Sequence, residues 1–344
     1  MWFCEIIRDL KVDNIMINFM PSWWYKKHGI AYGEKMYFDP DYRVETYLKM
    51  KQIFHQQFGS KLGMPVCDLT PRVIPPDFDN TYFQSMLGFD VRFPADQYPV
   101  GHGQLTSKQR MALKVPEDLW QVYPFTEVGR QIQYLNEKLS QSHPMTMSTR
   151  GILNEAVQMC SSDFYCDLLD EDMTEETDHV LSYILDVLRA QIKNNKAQDS
   201  SFSHTMMNCT CGIAGINVYK DRIFPYDWAL YQFCLENRVP VGLHHCGKFD
   251  DFLDVYGRMD QLYSIDIGHE SSIRPVLERF PKAHVRYILS TKLLNFGTPD
   301  QIRQTADRIL TECDGYLDRL SLQAPDLEYM IPDENIFALV EAFR

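Results

Sequence analysis

The sequence predicts an α/β fold, a (β/α)8 TIM barrel, on three observations. Short apolar or β-branched runs recur eight times, segments of helical periodicity separate most of them, and no Gly/Ser linker, low-complexity tract or internal repeat interrupts the rhythm. In chain order the strands are expected at Asn14–Met20, Leu62–Leu69, Pro144–Thr149, Ser203–Thr210, Val239–Cys246, Leu262–Gly268, His284–Ser290 and Tyr316–Leu322. Helices are expected at Glu45–Phe58, Val128–Leu139, Glu175–Asn195, Tyr226–Asn237, Phe249–Tyr256 and Asp300–Cys313. Thr298-Pro299-Asp300 places a capping hydroxyl ahead of a first-turn proline. The acidic stretch Asp167–Asp178 reads as a solvated helix amino terminus, where negative charge is favoured.

The rhythm breaks at about residues 70–104, where Pro71, Pro75, Pro76, Pro94 and Pro99 stand among many aromatics. This irregular insertion is expected near the barrel mouth as a lid or substrate wall, with Leu87–Phe93 forming part of an extra hairpin. With 344 residues, 45% of them hydrophobic, the chain can bury one large core, and residues 1–344 are assigned to a single domain. A net charge of −13 without a dense basic run argues against a nucleic-acid partner. No segment has the ~20 apolar residues that span a bilayer, and Met1-Trp2-Phe3-Cys4-Glu5 does not open a secretion signal, so a cytoplasmic protein without a membrane partner is expected. The nine cysteines are an odd number without the spacing of a stapled secreted domain, which points to reduced thiols. Cys67, Cys160, Cys166, Cys234 and Cys313 are read as packing residues.

Chemistry concentrates where strands end. Val239-Pro240-Val241-Gly242-Leu243-His244-His245-Cys246 is an apolar strand that stops on two imidazoles and a thiol, at the carboxyl end where barrel enzymes keep their active sites. Side chains alternate along a strand, so His244 and Cys246 share one face and His245 takes the other. Asn208-Cys209-Thr210-Cys211 ends the preceding strand, and the same alternation aims Cys209 and Cys211 at the neighbouring pocket. A three- or four-ligand set from His244, Cys246, Cys209 and Cys211 suits zinc, which tolerates a tetrahedral sulfur and nitrogen shell.

Other strand endings supply further candidates. His269 and Glu270 follow Ile265-Asp266-Ile267-Gly268 and are candidate proton-transfer residues. Arg150, before Gly151, could bind an anionic substrate group, and Asn208 could bind substrate beside Cys209. Trp23, with Trp24, Tyr25, Tyr82 and Phe83, could wall a flat substrate or instead close a barrel end. Lys292, after Ser290-Thr291, is read as solvated.

Leu243-His244-His245-Cys246-Gly247-Lys248 resembles the Leu-His-x-Cys-Gly element of the cobamide (corrinoid) methyltransferase branch of the uroporphyrinogen decarboxylase superfamily. Asp39-Pro40 with Arg43, Phe58-Gly59, Phe224-Pro225-Tyr226, Phe296-Gly297-Thr298-Pro299 and the closing Ile331-Pro332-Asp333-Glu334-Asn335-Ile336 are similar to other elements of the superfamily. Two departures stand beside these matches. The Arg-Gln-Ala-Gly-Arg signature of the decarboxylases is replaced by Met20-Pro21-Ser22-Trp23-Trp24, and the third zinc cysteine that several relatives carry after the last strand is absent from Leu320 to Glu328.

The resemblance implies a zinc-dependent methyltransferase that moves a methyl group between a small donor or acceptor (methoxylated aromatic, methylamine-type compound or thiol) and a cobalt corrinoid. No Asp-x-His-x-x-Gly element of a corrinoid-binding domain occurs, so the corrinoid is expected on a separate partner protein. A metal-free decarboxylase of a cyclic acid, using Arg150 with His269 or Glu270, is the second reading. A non-enzymatic zinc-binding barrel with a closed shell is the third.

Overall fold

The computed structural model describes residues 3–344. Among the described residues there are nine strands: β1 (Cys4–Ile7), β2 (Ile15–Phe19), β3 (Asp90–Arg92), β4 (Val100–His102), β5 (His204–Met207), β6 (Val241–His245), β7 (Leu262–Ile267), β8 (His284–Ile288) and β9 (Leu320–Leu327). Seven form one sheet in the order β1-β2-β9-β8-β7-β6-β5, in which only the β1–β2 pair is antiparallel. The last strand therefore pairs in parallel with β2, the first member of the parallel arc, which is how a (β/α)8 barrel closes on itself. Helices Phe224–Glu236, Leu253–Tyr256, Ile273–Arg279 and Pro299–Glu312 lie in the crossovers from β5 to β9. Among the described residues no helix is long and apolar enough to cross a membrane.

The six parallel strands coincide with six of the eight expected runs; the other two differ. Leu62–Leu69 is not a strand: the chain turns at Lys61–Gly63 and then runs without ladder bonds, with Val66 95% exposed. Pro65 has no amide proton to give a ladder, and an exposed valine gains nothing from a barrel wall. Pro144–Thr149 is also irregular, because the Asn195 side chain accepts from the Met147 N–H (2.7 Å) and donates to its carbonyl (2.8 Å). Side chains thus satisfy backbone groups that a strand would give to its neighbour. Thr149 Oγ1 nevertheless meets His204 Nδ1 at 2.9 Å, holding this segment beside β5.

Two boundaries also move. The final strand runs from Leu320 to Leu327, later than expected, since Leu317–Arg319 is a tight 3-10 turn. Within it Pro325 and Asp326 form a bulge against β2, where the register jumps from Ile17↔Ala324 to Phe19↔Leu327, and Asp326 takes a φ of 52°. The hairpin in the insertion is β3 with β4, and Leu87 instead follows the short helix Tyr82–Met86. The expected cap is present in full: Thr298 and Gln301 form a reciprocal capping box.

Candidate metal centre

Alternation along β6 separates its two histidines. His245 is fully buried and packs against Phe249, Phe252 and Tyr256, while His244 faces the barrel interior. There it borders a cavity of about 530 Å³ whose wall includes Arg150, Asn154, Met207, Asp266, Arg286 and Gln323. In register, His244 lies opposite Met207 on one side and Asp266 on the other, and Asp266 lies opposite Arg286. A polar row thus crosses β6, β7 and β8 at one level of the barrel wall.

Cys209, His244 and Cys246 form a cluster whose ligand atoms all lie within 4.8 Å of one another. His244 Nδ1 sits 3.0 Å from Asp266 Oδ2, which leaves Nε2 for the cluster. Arg286 donates to the same carboxylate oxygen at 3.4 Å and balances its charge. Burial alone would depress the His244 pKa, but hydrogen bonds to the Asp266 carboxylate and the Cys246 sulfur raise it to about 9. Cys246 is held well below the usual thiol range because the Cys209 thiol donates to it, which outweighs burial, and His244 adds to the effect. Cys209, as the donor of that bond and buried as well, is pushed far up. Three donor atoms that share protons this closely form a place where a divalent cation can displace those protons.

The donor set fits zinc. Two sulfurs and one imidazole within 4.8 Å of one another are donors of the kind zinc takes, and Cys209, His244 and Cys246 are the residues that would hold it. A carboxylate on the far nitrogen of a ligating histidine fixes its tautomer and ring orientation. Asp266→Ala is accordingly expected to weaken zinc binding by about 10–100-fold. Competition with a chromophoric chelator measures this, and an unchanged affinity would remove Asp266 from the centre.

The structure brings together Cys209, His244, Cys246 and Arg150 around one cavity and leaves other predicted residues out of it. Cys211 is fully buried behind the cluster, beside Tyr256 and Asp227. β5 ends at Met207 and the chain turns at Cys209–Thr210 into the short helix Cys211–Ala214, so the two-residue alternation no longer applies at Cys211. Asn208 is equally buried and gives its side-chain amide to Asp227 (2.7 Å), away from the cavity. Trp23 stacks on Phe19 at 4.0 Å and is fully buried, so it closes the barrel rather than walling a substrate.

His269 and Glu270 are exposed in the turn after β7 and are not among the cavity-lining residues, because the chain leaves the wall at Gly268. Arg150 does line the cavity, but it reaches Asp77 at 3.3 Å and Asp79 at 3.4 Å, so carboxylates of the chain already answer its charge. Asp266, Arg286, Gln323 and Asp326 are cavity residues that sequence reasoning did not single out. Asp266 had a usable signal, a charged residue inside the apolar strand Ile265-Asp266-Ile267.

Glu155 lies behind Arg150, fully buried, with Oε2 lacking a hydrogen-bond partner. Desolvation, opposed by Arg150 and reinforced by Asp79, raises its pKa to about 8. The folded value lies above the unfolded one, so this carboxyl's contribution is intact at low pH and is lost as pH rises from about 4.5 to about 8, where only the unfolded chain sheds the proton. A tenfold change in proton affinity is worth about 1.4 kcal/mol, so Glu155→Gln is expected to be more stable than the parent at pH 8 by a few kcal/mol and nearly equal to it at pH 4.5. Urea midpoints at the two pH values check this; equal differences at both would refute it.

The sequence model of the family described as uroporphyrinogen decarboxylase (URO-D) matches residues 75–344. No curated protein sequence matches the chain. Among solved structures, a methyltransferase from Methanosarcina mazei aligns with a TM-score of 0.60 and 16% sequence identity, covering 94% of this chain and 90% of that one. At that identity the likeness speaks to fold.

Proposed function

The chain belongs to the uroporphyrinogen decarboxylase family, and from that premise we propose that it is a zinc-dependent methyltransferase acting between a small substrate and a corrinoid carried on a separate protein. The observation that carries this reading is the Cys209–His244–Cys246 cluster, open to a cavity and braced by Asp266. Zinc held there would supply Lewis-acid activation of a substrate thiol, hydroxyl or methoxy oxygen.

The chain's own residues set the conditions. Cys209 and Cys246, as thiolates, would hold the ion together with His244 and offset its charge. Asp266 holds the His244 ring in one orientation, and Asn154, Gln158 and Gln323 offer hydrogen bonds to orient a small polar substrate. Met207, Ile288 and Pro325 supply apolar contact. A cavity of about 530 Å³ falls in the range of sites for small ligands, so a corrin macrocycle would be presented at the mouth by its carrier rather than enclosed.

The decarboxylase reading is weaker because Arg150, the guanidinium it needs for a substrate carboxylate, is already paired with Asp77 and Asp79. A closed structural zinc site would need four protein donors, and among the described residues the cluster offers three.

The test incubates the zinc-loaded protein with methylcobalamin and a panel of thiols, and separately with cob(I)alamin and methoxylated aromatics or methylamines. The corrinoid spectrum is expected to change with at least one compound and to stop changing after zinc is removed by a chelator. Turnover that survives complete zinc removal would overturn the reading.

A further inference from the structure

Behind the cluster lies a second, fully buried set of polar side chains that touches neither the cavity nor solvent. Asp227, on helix Phe224–Glu236, accepts at Oδ2 from the Tyr219 hydroxyl (2.7 Å) and from the Asn208 amide (2.7 Å). The Asn208 amide also lies 3.4 Å from the Tyr256 hydroxyl, and that hydroxyl is 3.0 Å from His245 Nδ1. All five residues are at most 1% exposed. Buried groups of this kind cost free energy unless they find partners, and here they find one another in a continuous chain, with only His245 Nε2 among the ring and amide nitrogens of the set left without one.

The ends of this chain matter. Asn208 immediately precedes Cys209, and His245 immediately precedes Cys246. The backbone joins the same two points, since the Asn208 N–H donates to the His244 carbonyl at 2.7 Å. Each thiol of the cluster is thus borne by a loop whose preceding residue is anchored in the one buried network. In each pair one residue turns in to the network and the next turns out to the cavity.

We propose that this network is a positioning device: Asp227 and Tyr256, acting through Asn208 and His245, fix the separation of Cys209 and Cys246. The inference rests on the reading of these thiols as zinc ligands, and it extends that reading to residues that touch neither metal nor substrate. Tyr256 is the hub, because its hydroxyl meets the anchors of both loops.

The test compares the full-length protein with Tyr256→Phe and Tyr219→Phe, which keep the rings and remove one hydroxyl each. Three quantities are measured: Tm, zinc affinity by chelator competition, and the thiolate-to-metal charge-transfer band of the cobalt-substituted protein. Positioning predicts a roughly 10-fold or greater loss of zinc affinity and a shifted cobalt band for Tyr256→Phe, with a smaller effect in the same direction for Tyr219→Phe. If Tyr256→Phe does not fold, Tyr219→Phe alone decides. A fall in Tm with affinity and band unchanged would mean that the network serves stability only, and would overturn the proposal.

A metal-independent readout separates this inference from the one beneath it. In the metal-free protein, diamide should close a Cys209–Cys246 disulfide, with the two thiols giving two electrons and two protons to the diazene. Loosened anchors should slow that closure roughly 10-fold or more, because each thiol then spends less time in reach of the other, and an unchanged rate would count against positioning. If the parent protein binds no zinc, the functional reading falls, and the closure rates still decide for or against positioning.

Discussion

Protein purified without added metal is expected to carry close to one zinc per chain, and His244→Ala, Cys246→Ser and Cys209→Ser are each expected to lose it. Cys211→Ser should keep it. Outer partners of a zinc site already change affinity by about 10–100-fold, so removal of one donor from a three-donor shell should exceed that range. Cys211 is the internal control: it is two residues from a ligand and chemically identical, yet it is buried behind the cluster. Elemental analysis after gel filtration reads the result directly. Metal that persists in the His244 and Cys246 variants, or that disappears with Cys211 alone, would contradict the site.

Gly268→Ala is expected to cost the protein both stability and metal, for a steric reason. The loop that follows β7 lies against the loop that carries Cys246, and a Cβ on Gly268 would stand 2.0 Å from the Cys246 carbonyl oxygen and 2.6 Å from that of Gly247. Neither neighbour is a flexible side chain, so the backbone at Cys246 must shift. Overpacking of this kind costs typically about 1–3 kcal/mol, and a contact with rigid backbone belongs at the upper end or beyond. The same shift moves a ligand, so zinc affinity should fall with the melting temperature. Gly212→Ala is the matched control, because its Cβ would meet nothing nearer than 4.0 Å and it lies in a short helix where alanine is favoured. Calorimetry and chelator competition on both variants check the pair; equal behaviour would remove the steric account.

How much of this was legible in the sequence depends on the distance over which each feature is decided. The His244 and Cys246 pair was readable because both lie at one strand end, where alternation of side chains assigns the faces. The same rule separated His245 from its neighbour, and the structure buries it. The rule failed at Cys211, where β5 stops at Met207 and the chain turns into a helix before the second thiol is reached. Alternation reached Cys246, one residue past the end of β6, but not Cys211, which lies inside a helix beyond the end of β5. Two of the eight expected strands were lost for a related reason: Pro65, and the Asn195 side chain on Met147, remove or satisfy the groups a ladder needs.

The sequence by itself determined the barrel class, the order of its parallel strands and the strand ending that bears His244 and Cys246, because each follows from local periodicity and chemistry. The tertiary structure alone decided which second thiol joins them and which carboxylate braces the imidazole. It also decided what became of Arg150. Asp266 faces His244 only through the register of β6 on β7, Arg286 meets Asp266 only through that of β7 on β8, and Arg150 is paired by Asp77 and Asp79 some seventy residues earlier. These partners are set by packing between distant segments, and no pattern within a single strand or helix encodes them.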